Sequence, residues 1–318
     1  MFFRDCTVSD TTTICQWVRA RSGRGEELFR RRSLSTIIWY KLGLLIQGCS
    51  LHNFWLSMQL GFDELDELAY LATFNSVSSE LPKNIIPLGI GPLIELDWLR
   101  NSGLPLPNLD SLASSQRLRL VEAVISGQKR VTIEAEAARA GIIRCYWRRD
   151  DEPDDWYFFC KSMQDAALMV GFPRKNAEEL VAGARELVAN IYDHSGAPQT
   201  GIAGYTAIDN EFEFIIADKG IGVLESLRSS PEFQSLRDAG EALEAALTDG
   251  TSRYGPSSGH GGGFRALFRG LLNLSSVLRF RSGDHALTIN GVSPGLSMAR
   301  VSQKTQLPGF VISIACIR

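Results

Sequence analysis

The chain has 318 residues, a length typical of one large domain or two domains of about 150 residues each. A hydrophobic fraction of 44% and a charged fraction of 22% are those of a globular protein that buries a sizeable core. The formal charge of −3 at pH 7 gives no electrostatic reason to expect nucleic acid as a partner. Six cysteines are scattered without a CxxC pair, which is typical of reduced thiols, so we expect a cytoplasmic protein.

Residues 1–104 are expected to form a mainly helical region to which the sequence assigns no role. The apolar stretch at 37–62 is interrupted by polar residues before about 18 consecutive apolar residues accumulate. We therefore expect buried or partner-binding helices here and no membrane span. The pattern at 62–74 continues as a helix, whereas proline and glycine at 81–98 and 101–111 indicate connecting segments.

From about residue 115 the pattern becomes mixed. Apolar periodicity predicts a helix at 114–126. The segments 130–136, 141–149 and 155–160 carry β-branched and aromatic residues at the density of packed strands. The acidic segment at 149–155 is interpreted as a turn between the last two of these strands.

The most informative helix is predicted over 176–195. Asn176 is a suitable N-cap, and Glu179 three residues later completes a pattern like a capping box. The apolar stripe of this helix consists of residues at helical spacing: Leu180, Ala184, Leu187, Val188 and Ile191.

The polar side of this helix carries Glu186, Asn190 and Asp193, which fall together at roughly 100° per residue. A carboxylate and a carboxamide one turn apart can act together on a metal-bound phosphate and an attacking water. An ordinary surface helix with its polar face in water explains the same pattern. The motifs further along the chain therefore distinguish a surface helix from a helix that lines a phosphate site.

The alternation of residues at 212–218 predicts a strand that ends at Asp218. Gly220 and Gly222 follow at once, which gives the pattern DxGxG. The carboxylate can accept a hydrogen bond from an exocyclic amine, and the glycines let the backbone approach a planar base closely. A tight turn with an exposed aspartate is the alternative interpretation.

The stretch 249–274 begins as a polar loop and ends in a glycine cluster that abuts a predicted helix. Free backbone N–H groups at a helix start suit a phosphate. The cluster is neither a Walker A loop, since no GKS or GKT follows, nor a Rossmann fingerprint. After it, 277–291 predicts a hairpin around 282–284, and 307–317 predicts a final strand.

The motifs ELVANIYDHS, ADKGIG and GHGGGFRAL, followed by a GFVISI strand, occur in this order. Together they resemble the GHKL (Bergerat-fold) ATPase superfamily, which contains gyrase-type topoisomerases, heat-shock chaperone ATPases, histidine kinases and mismatch-repair ATPases. The resemblance covers about residues 155–318. It implies an α+β domain at 105–318, built as a two-layer α/β sandwich of the Bergerat type, with ATP and Mg²⁺ as ligands.

The resemblance also implies a role for each motif residue. Asn190 would bind the Mg²⁺ ion that bridges the triphosphate, and Glu186 would be the general base for water or assist phosphotransfer. Asp218 would accept a hydrogen bond from the adenine amino group, and Gly220 and Gly222 would shape the adenine pocket. Asp193 on the helix would also bind the cofactor. The remaining predicted cofactor-binding residues are the start of the ATP lid, which is Thr251, Ser252 and Arg253, and the second glycine box, which is Gly259, His260, Gly261, Gly262, Gly263 and Phe264.

The second glycine box departs from the kinase pattern, because His260 and Gly262 replace apolar residues and Phe264 makes it similar to the chaperone type. No segment resembles a dimerisation helix with a phosphoacceptor histidine, so autophosphorylation on histidine is not expected.

Three functions stay open. The chain is a slow or partner-dependent ATPase that acts as a switch, a protein kinase acting in trans like the anti-sigma-factor kinases, or a non-catalytic ATP-binding module. A protein partner is expected at the N-terminal region, and a homodimer is left open.

Overall fold

The computed structural model describes residues 58–73, 85–135, 138–147, 151–208, 210–246, 277–290 and 299–317. Predictions that concern residues before 58, and those for the ATP lid and the second glycine box, lie outside the described residues.

Seven α-helices and eight strands lie in the described residues. The helices are α1 (Phe62–Thr73), α2 (Ile90–Asn101), α3 (Gln116–Ile125), α4 (Asp154–Met169), α5 (Arg174–His194), α6 (Gly222–Arg228) and α7 (Ala239–Ala246). The strands are β1 (Met58–Leu60), β2 (Ile85–Pro87), β3 (Arg130–Ala135), β4 (Ala138–Arg144), β5 (Ile202–Ile208), β6 (Glu211–Asp218), β7 (Val277–Asn290) and β8 (Arg300–Ile317). Among the helices described, none is both long and apolar enough to cross a membrane.

Strands β3 to β8 form one antiparallel sheet of six strands in the order β3-β4-β5-β6-β8-β7. The short strands β1 and β2 pair with each other in parallel. Strand β6 is central in the large sheet, and its last residue, Asp218, lies opposite Phe310 of β8. The predicted α+β class and the strands at 212–218 and 307–317 are confirmed.

Helices cover both faces of the large sheet. Phe212, Phe214 and Ile216 of β6 belong to a core cluster with residues of α4 to α7. Ile215 and Ala217 belong to a second cluster with residues of α1 to α3. The described residues therefore form three layers, because a central strand that is apolar on both sides needs cover on both sides. Two helices of the added layer, α1 and α2, lie before residue 105 and so outside the two-layer sandwich expected at 105–318.

The first turn of α2 packs directly on the sheet. The buried carboxylate of Glu213 on β6 accepts hydrogen bonds from the backbone N–H groups of Ile90, at 3.0 Å, and Gly91, at 3.1 Å. A Cβ atom on Gly91 would lie 2.8 Å from Oγ of Ser313 on β8, so glycine permits the close approach. The prediction of a connecting segment at 81–98 is therefore wrong from residue 90 onward, since proline is tolerated in a first helical turn.

The segment predicted as a strand at 155–160 lies in α4, so that prediction is wrong. Proline at 153 precedes the helix, and Asp154 and Asp155 occupy its first turn, where acids favour a helix start. Four buried residues recur at helical spacing along it: Trp156, Phe159, Cys160 and Met163. The neighbouring Tyr157 and Phe158 are exposed, which a strand buried on both faces would not allow.

The hairpin predicted around 282–284 is also wrong, because β7 runs through this position as one strand paired with β8. The pairing register shifts on either side of Gly283, whose φ of 60° is in the left-handed region. A glycine at this conformation is typical of a β-bulge, which bends a strand without ending it.

A buried ion-pair network joins α1 and α2 to β7. Arg279 donates to Glu95 of α2 at 2.8 Å and to Asp66 of α1 at 2.6 Å, and Arg281 donates to Glu95 at 2.6 Å. Lys304 of β8 lies 2.8 Å from Asp66. Burial raises the pKa of Asp66, but the contacts with Arg279 and Lys304 outweigh burial and hold that pKa below its ordinary value.

Candidate ligand-binding site

Helix α5 supplies one wall of the candidate site. All five residues of its predicted apolar stripe are buried, so the stripe is confirmed. The helix begins at Arg174, and its N-cap is Pro173, whose carbonyl accepts from Ala177 N–H at 3.0 Å. The predicted cap at Asn176 is therefore wrong, because Asn176 already lies inside the first turn.

The three predicted site residues on the polar side of α5 differ in burial. Glu186 is exposed, whereas Asn190 and Asp193 are partly buried. Asn190 lies one turn closer than Glu186 to the C-terminal end of the helix, and that end contacts the turn after β6. The structure thus brings the helix motif and the DxGxG motif together at one end of the sheet.

This contact runs through the backbone. The carbonyl of the buried Ser195 accepts a hydrogen bond from Ile221 N–H at 2.9 Å. A Cβ atom on Gly220 would lie 2.1 Å from the same carbonyl oxygen, so any side chain at position 220 displaces the turn. Thr200 accepts from Lys219 N–H at 2.9 Å and donates to the carbonyl of Ala197 at 2.7 Å, which fixes the turn from the same side.

Asp218, at the end of β6, is fully buried, so the alternative reading of an exposed turn aspartate is wrong. Its Oδ1 accepts from Gly220 N–H at 2.6 Å. Its Oδ2 is buried and accepts no hydrogen bond from the residues that the structure describes. Burial raises the pKa of Asp218 to about 7, although the Gly220 N–H group lowers it. A buried acceptor without a donor costs about 1–3 kcal/mol, so a ligand that donates a hydrogen bond to Oδ2 would remove that cost.

The structure places the side chain of Lys219 against the helix layer that contains α2. Its Nζ lies 5.0 Å from the ring centroid of Trp98 on α2, a cation–π distance. Burial lowers the pKa of Lys219, while the charge of the nearby Asp97 raises it. The middle of the DxGxG turn therefore contacts the helix layer that covers the opposite face of the sheet.

Two residues of the site were missed by sequence reasoning: Ser282 on β7 and Gly309 on β8. Both contact the turn between Asp218 and Val223. Neither belongs to a local motif, and Ser282 is separated from its partner Val223 by 59 residues. A glycine after a proline in the final strand is the one signal, since glycine inside a strand often marks a close backbone approach.

The residues present fit a magnesium ion that arrives with phosphates. Among the described residues, no group of three His, Cys, Asp or Glu side chains is arranged to hold a metal. Mg²⁺ is usually bound through one or two protein oxygens together with water and substrate phosphates. The carboxamide oxygen of Asn190 is of the ligand type that such a site uses, and its role as a Mg²⁺ ligand stays a prediction.

The phosphate side of the predicted site lies outside the described residues. It comprises the start of the lid and the second glycine box: Thr251, Ser252, Arg253, Gly259, His260, Gly261, Gly262, Gly263 and Phe264. Their roles stay predictions.

The chain matches no protein-family model, no curated protein and no solved structure.

Proposed function

We propose that residues 105–318 form a Bergerat-type domain that binds ATP with Mg²⁺ and works as a nucleotide-driven switch, with slow or partner-dependent hydrolysis. The observation that carries the proposal is the buried Oδ2 of Asp218, which accepts no hydrogen bond from the described residues and lies beside a glycine turn and the end of α5. A protein partner would respond to the nucleotide state through the N-terminal region.

Base selection follows from the chemistry of the Asp218 carboxylate. Adenine carries an amino group where guanine carries a carbonyl oxygen, so only adenine donates a hydrogen bond at that position. A carbonyl oxygen against Oδ2 would leave two acceptors facing each other without a donor. Because an unpaired buried acceptor costs about 1–3 kcal/mol, ATP should bind about tenfold or more tightly than GTP.

Hydrolysis rests on Glu186 and Asn190, one helical turn apart on the polar side of α5. Mg²⁺ on Asn190 would neutralise developing charge on the phosphates. A general base must reach the attacking water, and Glu186 is accessible to water because it is exposed. An exposed carboxylate is poorly preorganised, so turnover should be slow until the lid or a partner covers it.

Calorimetric titration of ATP with Mg²⁺, together with an assay for released phosphate, tests the proposal. Asp218→Asn should weaken ATP binding about tenfold, since the amide places a donor or a weaker acceptor against the adenine amine. Glu186→Gln should keep binding and lose phosphate release. Glu178→Gln, at another exposed glutamate of α5, is the matched control and should keep both.

Each outcome assigns a function. Binding without phosphate release in the wild type would leave the switch module or a kinase without its substrate, and would exclude autonomous hydrolysis. A wild type that binds no ATP, with Asp218→Asn indistinguishable from it, would refute the proposal.

A further inference from the structure

The turn after β6 is held from a second side by one buried hydroxyl group. Ser282 of β7 is 1% exposed. Its Oγ accepts a hydrogen bond from Val223 N–H at 2.9 Å and donates to the carbonyl oxygen of Gly309 at 2.9 Å. One side chain thus ties the first turn of α6 to strand β8.

Gly309 lies directly against the backbone of the candidate site. Its φ of 65° is in the left-handed region, which favours glycine. A Cβ atom on Gly309 would lie 1.9 Å from the carbonyl oxygen of Asp218 and 2.8 Å from the nitrogen of Gly220. Because both atoms belong to the backbone, no side-chain rotation relieves the clash. A side chain at 309 would move the segment that carries Asp218.

Gly222 completes the same contact. Its φ is 77°, and a Cβ atom there would lie 2.8 Å from Oγ of Ser282. The turn is therefore contacted by two pairs of residues, Ser195 with Thr200 and Ser282 with Gly309. The first pair follows the helix motif in the chain, whereas the second pair comes from distant strands.

We propose that Ser282 and Gly309 are positioning residues that fix the orientation of Asp218 Oδ2 and so set the preference for a base that bears an amino group. This inference rests on the proposed function and adds to it the two residues that determine specificity. The bulge at Gly283 supports the assignment, because the ladder between β7 and β8 shifts register immediately after Ser282.

Removal of the Ser282 hydroxyl group should lower the ratio of ATP to GTP affinity while the chain stays folded. In Ser282→Ala, Val223 N–H and the Gly309 carbonyl lose a shared partner, so the first turn of α6 loses this link to β8. We expect the ratio of ATP to GTP affinity to fall about tenfold. Ser282→Thr keeps the hydroxyl group and should restore most of the ratio.

A matched control lies on β8. Ser313 is also buried, but its hydroxyl group donates to Glu213 at 3.3 Å, away from the Asp218 turn. Ser313→Ala should leave the affinity ratio unchanged. If Ser282→Ala and Ser313→Ala change the ratio equally, or if neither changes it, the positioning role is wrong.

A second measurement separates this inference from the proposed function. The ionisation of the Asp218 carboxyl group can be followed by ¹³C NMR of aspartate-labelled protein without any nucleotide. A shifted titration midpoint in Ser282→Ala, restored in Ser282→Thr, supports the positioning role even if the wild type binds no ATP. An unchanged midpoint overturns the positioning role even if the wild type does bind ATP.

Discussion

At the scale of single residues, Asp218 combines complete burial with one carboxylate oxygen that has no donor among the described residues. A buried acid usually has such a donor, because desolvation of its charge is otherwise uncompensated. The Gly220 N–H group compensates only one oxygen. A ligand that donates a hydrogen bond to the other oxygen would stabilise the ionised side chain, so we expect its ionisation to be linked to binding.

The affinity for ATP should rise as the pH increases through about 7, because burial raises the pKa of Asp218 to about 7. Below this value the carboxyl group carries a proton on the oxygen that should accept from the adenine amine. Calorimetric titration between pH 5.5 and 8.5 measures the effect. Asp218→Asn controls for protonation of the ATP phosphates, and a wild-type curve parallel to that of the variant would contradict the linkage.

The same group should make the folded chain less stable as the pH rises. Between the ordinary pKa of 3.8 and the folded value of about 7, the folded chain keeps a proton that the unfolded chain has released. Unfolding therefore releases a proton, and the free energy of unfolding falls by roughly 4 kcal/mol across this interval. Urea unfolding at pH 5 and pH 8 should show about 2–3 kcal/mol of this loss in the wild type and none of it in Asp218→Asn.

At the scale of helices and strands, the ion-pair network holds α1 and α2 on β7. Glu95 and Arg281 are fully buried, and Glu95 accepts from both Arg279 and Arg281. Removal of one charge from a buried pair leaves the other uncompensated, which typically costs 3–5 kcal/mol. We therefore expect the network to determine how α1 and α2 pack on β7 more than it increases the free energy of unfolding.

Glu95→Gln should lower the free energy of unfolding by about 3–5 kcal/mol, since Asp66 is then the one carboxylate among the described residues that faces Arg279, Arg281 and Lys304. Urea unfolding followed by circular dichroism measures the change, and Glu178→Gln on the exposed side of α5 is the control. A loss below about 1 kcal/mol would mean that water or another group compensates the arginines.

The elements that could be predicted are those whose pattern is local. The stripe of α5 and the alternation in β6 each appear within about ten residues, and both are confirmed. The segment 155–160 could not be assigned from composition, because a short apolar run suits a buried strand and a buried helix equally. Asp218 and its glycines were found through a motif, whereas Ser282 and Gly309 reach the site only through the pairing of β6, β7 and β8.

At the scale of the whole described region, the sheet separates the candidate site from the layer formed by α1 to α3. Strand β6 is buried on both faces, so each layer packs on residues of the strand that ends in Asp218. Lys219 is the next residue and contacts Trp98 of α2. If a ligand displaces this turn, we expect the displacement to reach the helix layer on the other face through Lys219.

Trp98 should report this coupling. Its ring is 4% exposed and lies 5.0 Å from the Lys219 ammonium group, so movement of that charge alters the field at the indole. Addition of ATP should change the tryptophan emission of the wild type, and Trp98→Phe should remove the change and so assign it among the six tryptophans. Lys219→Met should keep ATP binding, because its side chain points to α2, but should abolish the emission change. If Lys219→Met shows the full wild-type response, then α2 does not sense the turn through Lys219, and the two layers are coupled only through the sheet.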